Sequence, residues 1–124
     1  MNNIFIVLMM IFCHIVDDYF LQGILASLKQ KEWWKKQEQY KDLYKYDYIV
    51  ALLMHSFSWT FMIMLPVSLI NNFEIGAIFL IVFVLNVITH AIVDDLKANK
   101  FKINLIIDQT IHLIQIVTTA VVLL

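Results

Sequence analysis

The sequence contains no arginine, one cysteine, one proline, two glycines and few charges, and each shortage removes a class of protein. A nucleic-acid reader ordinarily shows a basic excess, with guanidinium forks for phosphate and guanine. Nine lysines against ten acidic residues, for a net charge of −1, offer neither, so no nucleic-acid partner is expected. The lone Cys13 cannot close an internal disulfide, which excludes a cross-linked secreted scaffold and leaves the redox compartment unread. Charged residues make up 15% of the chain, where a soluble domain carries about a quarter. With 61% hydrophobic residues and a mean hydropathy of +0.77, there is too little polar surface to clothe a water-soluble domain of 124 residues. No linker or low-complexity segment divides the chain, so residues 1–124 read as a single domain.

What is present is long apolar runs. Stretches near the ~20 residues that cross a hydrocarbon layer occur at Ile4 to about Ser27, Tyr48 to Ile70, Ile75 to Val93, and Leu105 to Leu124. The first lacks the basic start of a signal peptide, and Phe12 before Cys13 is too bulky for a lipoprotein cleavage site, so it is read as a retained span. The fold expected is all-α: a polytopic membrane protein of four transmembrane helices in an antiparallel bundle. Six lysines fall in the first connection (Lys29, Lys31, Lys35, Lys36, Lys41, Lys45), none in the Asn71-Asn72-Phe73-Glu74 turn, and three in the last connection (Lys97, Lys100, Lys102). Connections one and three share a side, so the positive-inside rule places the lysines in the cytoplasm and both termini outside a bacterial inner membrane. In the first connection Trp33, Trp34, Tyr40, Leu43 and Tyr44 alternate with lysines, the pattern of an interfacial amphipathic helix. Such a helix anchors at the headgroups, or attracts anionic lipid there. Pro66 reads as a tolerated kink.

The chemistry is concentrated inside the spans. Each span holds one of the four histidines: His14, His55, His90 and His112. Three have an aspartate four residues away, pairing His14 with Asp18, His90 with Asp94, and Asp108 with His112, a spacing that shares one helix face. In alternating antiparallel spans that order sets the aspartate nearer the cytoplasm each time. Asp17 falls near the His14 face. Burying Asp17, Asp18, Asp94, Asp95 and Asp108 costs several kcal/mol each unless they are neutralised or coordinated, and only Lys97 is close in sequence as a counter-ion. One or two divalent ions (zinc, manganese or iron) offset most of that charge. The expected ligands are His14, Asp18, His90, Asp94, Asp108 and His112. Gln22 and Gln109 are expected to orient ligands, while Asn86, Gln115 and Cys13 are read as packing.

These motifs resemble a small family of bacterial and phage membrane proteins known as domain of unknown function 3307. The likeness rests on His14-Ile15-Val16-Asp17-Asp18-Tyr19-Phe20-Leu21-Gln22, on His55, on His90-Ala91-Ile92-Val93-Asp94-Asp95-Leu96-Lys97, and on Asp108-Gln109-Thr110-Ile111-His112, and spans nearly the whole chain. It implies a small polytopic membrane protein and brings no reaction with it. In hydropathy and His/Asp usage alone, the chain is also similar to membrane proteins described as metal-dependent hydrolases.

Three functions follow as expectations. The first is a metal-dependent hydrolase acting on a lipid or lipid-phosphate from the cytoplasmic leaflet, with Asp17 as general base, His55 as proton donor or further ligand, and Lys97 on substrate phosphate. The second is an ion or proton transporter or channel subunit, for which a homo-oligomer would have to complete the path. The third is a bis-histidine haem bundle.

Overall fold

The computed structural model describes residues 2–37 and 42–124. It is all-helical among those residues: α1 (Asn3–Val16) runs on into a π-helical turn (Asp17–Leu21), followed by the short α2 (Leu25–Leu28) and α3 (Lys31–Lys35), then α4 (Asp47–Ile70), α5 (Ala77–Ala98) and α6 (Leu105–Leu123). Four helical segments, Asn3–Leu21, α4, α5 and α6, are each long and apolar enough to cross a membrane, consistent with a multi-pass membrane protein. Side chains cap two of them: Asn2 Oδ1 accepts from the Ile4 amide at 2.9 Å, and Asn104 Oδ1 from the Ile107 amide at 3.0 Å.

Consecutive long helices pack side by side, α1 closes the ring against α6, and α4 also reaches α6 across the middle. Large apolar side chains point outward all round, among them Phe12, Phe57, Leu85 and Val121. The interior has two zones. Away from the lysine-bearing connections, Ile6, Met10, Ile63, Met64, Val67, Ile116 and Ala120 form a fully apolar core. Towards the lysines, buried histidines and aspartates take over, and Trp59, fully buried, lies between the zones.

Two span boundaries differ from the sequence reading, each for a local reason. The first span stops at Leu21, short of Ser27. There the backbone switches to π-type bonding, with the Gln22 amide on the Asp17 carbonyl at 3.1 Å, and Gly23 then adopts a left-handed φ of +50° that turns the chain. The third span continues past Val93 to Ala98, so Asp94 and Lys97 are on the helix and Asp94 is buried within it. Among the described residues, the segment expected to be interfacial holds the two short helices α2 and α3, joined where Trp34 Nε1 donates to the Leu28 carbonyl at 2.7 Å. Tyr40 and Lys41 of the predicted segment lie outside the described residues.

Asn99, at the end of α5, ties this segment down. Its Nδ2 donates to the Lys29 carbonyl (3.0 Å) and to Asp95 Oδ1 (2.8 Å), and its Oδ1 accepts from the Lys31 amide (2.7 Å). Asn99→Ala removes the two bonds to the segment, each contributing ~1 kcal/mol. Residues 25–35 are then expected to exchange amide hydrogens about tenfold faster, with exchange in α4 and α6 unchanged; equal protection in both proteins would contradict the clamp.

Candidate metal centre

The π-helical turn sets the geometry of the first span. Asp17 and Asp18 open this turn and are both buried, at 0% and 8% exposure. Asp17 Oδ1 accepts from Ser58 Oγ at 2.6 Å, and its Oδ2 lies 3.7 Å from His55 Nδ1. Asp17 therefore stands behind His55, whose opposite nitrogen, Nε2, faces the centre. It is 3.2 Å from Asp18 Oδ1, 3.3 Å from His90 Nε2 and 3.5 Å from Asp94 Oδ2. His90 Nε2 lies 3.8 Å from Asp94 Oδ1. His112 Nε2 lies 3.4 Å from Asp108 Oδ1 and 3.6 Å from Asp94 Oδ1.

Three overlapping sets of side chains could each hold a metal ion: Asp18, His55 and His90; His90, Asp94 and His112; and Asp18, Asp108 and His112. Bond lengths of ~2.0–2.1 Å at tetrahedral angles put ligand atoms about 3.3 Å apart. The separations of 3.2 to 3.8 Å found between these nitrogens and oxygens are close to that edge length.

Neighbouring amides determine which nitrogens carry hydrogen. Gln115 Nε2 donates to the Asn86 carbonyl (3.3 Å) and to Asn86 Oδ1 (3.2 Å), so its Oε1 must face His112. It accepts from His112 Nδ1 at 3.2 Å, so Nδ1 carries a hydrogen, and His112 Nε2 faces two carboxylates. Neither His112 Nε2 nor Asp108 Oδ1 has a hydrogen-bond partner, although both are fully buried. Asn86 is in turn held by its Nδ2 donating to Thr119 Oγ1 at 2.7 Å. Residues that read as packing thus hold a candidate ligand in place.

His14 is treated differently. Trp59 Nε1 can only donate, and it does so to His14 Nδ1 at 2.8 Å, so the hydrogen is on Nε2, which donates to Gln109 Oε1 at 3.0 Å. Gln109 Nε2 then donates to Asp18 Oδ2 and Asp108 Oδ2, both at 3.0 Å. Both ring nitrogens of His14 are engaged and it falls outside the three sets. Its part in this arrangement is to aim the Gln109 amide that ties two carboxylates together. Gln22 points back along its own helix, donating to the Asp18 carbonyl.

Of the five aspartates read as buried, Asp95 is elsewhere: it pairs with Lys100 at 3.1 Å and accepts from Asn99 at the exposed end of α5. Two lysines enter the centre. Lys97 Nζ is 2.8 Å from Asp108 Oδ2, so Lys97 is itself engaged with a candidate ligand. Lys29, which reads as an ordinary loop cation, is buried with its ammonium 2.5 Å from Asp94 Oδ2. No sequence signal links residues 65 apart. Trp59, which no motif marks, is four residues after His55 and so on the same face; its ring stacks on His90 at 4.2 Å, and His90 stacks on His112 at 4.2 Å. His55, readable from the sequence as proton donor or ligand, has its Nε2 within 3.5 Å of Asp18, His90 and Asp94.

The fold and site together define an all-helical bundle of apolar helices with a buried His/Asp cluster able to hold a metal ion. No family model, curated protein or solved structure matches the chain.

Proposed function

We propose that this is an intramembrane metal-binding protein of the bacterial inner membrane, with its lysine-bearing end cytoplasmic, and that the centre is a metal-dependent hydrolase acting on a lipid or lipid-phosphate. Membership of the family it resembles is part of the same proposal. The observation that carries it is the buried, unpartnered His112 Nε2, which Gln115 holds facing Asp94 and Asp108. A positive charge suits these atoms, because the buried His112 Nε2 and Asp108 Oδ1 have no hydrogen-bond partner. Charge supports a cation as well. Four buried carboxylates, Asp17, Asp18, Asp94 and Asp108, meet two lysines, which leaves two negative charges for one divalent ion to balance.

Asp18, His55, His90, Asp94, Asp108 and His112 would hold the ion, with Gln115 orienting the His112 ring and Gln109 the carboxylates of Asp18 and Asp108. When bound, a divalent ion supplies Lewis-acid polarisation and activates water near neutral pH. The chain's own contribution is to keep the donors fixed and to close the centre from below with Trp59 and the apolar core. Lys97, about one-third exposed, stands between the centre and the lysine-bearing end, where it can also meet substrate phosphate.

The same apolar core argues against transport by one protomer. Beyond Trp59, Ile6, Met10, Ile63, Met64, Val67 and Ile116 fill the middle of the bundle, and the buried Asn86, Gln115 and Thr119 beside them are hydrogen-bonded to one another between α5 and α6. For haem, the 3.3 Å between His55 Nε2 and His90 Nε2 leaves no room for a porphyrin between them.

Purified protein is expected to carry about one equivalent of a transition metal, or to recover it after chelation and reconstitution. It should release a water-soluble headgroup or phosphate from bilayer lipids, and chelator should stop the release. Metal with ion flux in liposomes and no hydrolysis would replace the enzyme by a transporter; protein that neither retains nor takes up metal would end the proposal.

A further inference from the structure

The lysine-bearing end has a second feature that the His/Asp centre does not explain. Between α3 and the start of α4 lies a cavity of about 400 Å³, within the range of small-ligand pockets. Its lining includes Lys31, Lys35 and Lys45 together with Trp34, Tyr46 and Tyr48, against one acidic residue, Asp42. Lys35 is paired with Glu32 at 2.6 Å. Lys31 and Lys45 make no ion pair among the described residues. Their ammonium groups instead rest over the Tyr48 and Tyr46 rings, at 4.7 and 5.4 Å from the centroids. A cation over a ring face keeps its N–H donors available for an oxygen ligand.

The position of the cavity identifies that ligand. Tyr48 is on the first turn of α4, where the polar connection meets an apolar span, and Trp and Tyr side chains favour this headgroup level. The next residues, Ile49 and Val50, are exposed at 39% and 57% and continue the outward apolar surface on which acyl chains would lie. The Lys31 amide is fixed on Asn99, so one wall of the cavity is anchored to α5. Net positive charge, aromatic walls and an apolar surface directly adjoining match an amphiphile with a phosphate head.

We infer that the cavity between α3 and α4 binds the phosphate of an anionic membrane lipid through Lys31 and Lys45. This site does not depend on the reading of the His/Asp centre. The full chain in neutral detergent, titrated with short-chain phosphatidylglycerol and followed by native mass spectrometry, is expected to bind one equivalent saturably, with short-chain phosphatidylcholine binding at least about tenfold more weakly. Lys31→Gln with Lys45→Gln should weaken phosphatidylglycerol binding on the order of tenfold or more, Lys31→Arg should retain it, and Lys100→Gln, at an ion pair outside the cavity, should leave it unchanged. Circular dichroism of each variant checks that the helices are intact. Equal binding of the two lipids overturns the inference, as does an unaltered affinity in the double variant or an equal loss in Lys100→Gln. Inorganic phosphate binding as tightly as phosphatidylglycerol would also overturn it, because the ligand would then be a free anion and not a lipid.

Discussion

His90→Phe is expected to strip the protein of metal while leaving the bundle folded. His90 belongs to two of the three candidate ligand sets, and its ring packs against both Trp59 and His112, with centroids 4.2 Å from each. Phenylalanine keeps an aromatic ring in that stack and removes the nitrogen. Losing an outer group that merely orients a ligand costs 10–100-fold in metal affinity, so losing a donor atom itself should cost at least about a hundredfold. Metal analysis of the variant after dialysis should therefore read below about a tenth of an equivalent, with a helical spectrum like that of the parent. Asp95→Asn is the matched control, since Asp95 engages Lys100 and Asn99 away from the centre, and its metal content should not change. Normal metal in His90→Phe would place the ion elsewhere or remove it from the account.

The largest loss of stability is expected from Trp59→Ala. Trp59 is fully buried, donates to His14 and stacks on His90, so it joins the apolar core to the polar centre. Helices in a bilayer gain little from hiding apolar surface from water, because the surrounding lipid is equally apolar; close packing and interhelical hydrogen bonds hold them together. Truncating a large ring forfeits its dispersion contacts, and the rigid neighbours only partly collapse into the space. A loss of about 3 kcal/mol is expected, at the low end for tryptophan truncation because the transfer contribution is small in lipid. Trp59→Phe retains much of the packing but no N–H, and should lie between the two. Unfolding in mixed detergent micelles measures both. A Trp59→Ala protein within about 0.5 kcal/mol of the parent would show that Trp59 does not bridge the zones.

Much of the architecture was legible because bilayer-length apolar runs and lysine placement are one-dimensional properties. Span existence, the turn at Asn71 and the lysine-bearing end need only counting, since every backbone amide in a span must be satisfied within its own helix. The His/Asp pairs were legible too, because a four-residue spacing fixes a common face. Boundaries were less so: hydropathy continues smoothly past Leu21, and nothing in it announces a π-helical turn. Roles within the cluster were beyond reach for a different reason. Whether a histidine offers a lone pair or a hydrogen depends on what its other nitrogen touches, and those partners are set by other helices: Trp59 for His14, and, one turn along the same helix but held in place from α5, Gln115 for His112.

By itself, the sequence determined that apolar helices carry one histidine each and that three of those histidines share a face with an aspartate. Only the tertiary structure decided that Lys29 reaches Asp94, that His14 supports Gln109 rather than facing the ligand sets, and that His55 faces His90 across 3.3 Å. Faces follow from helical periodicity along one chain segment. Which atoms meet follows from the rotation and depth at which separate helices pack, and these are set by the volumes of Trp59 and its neighbours acting together.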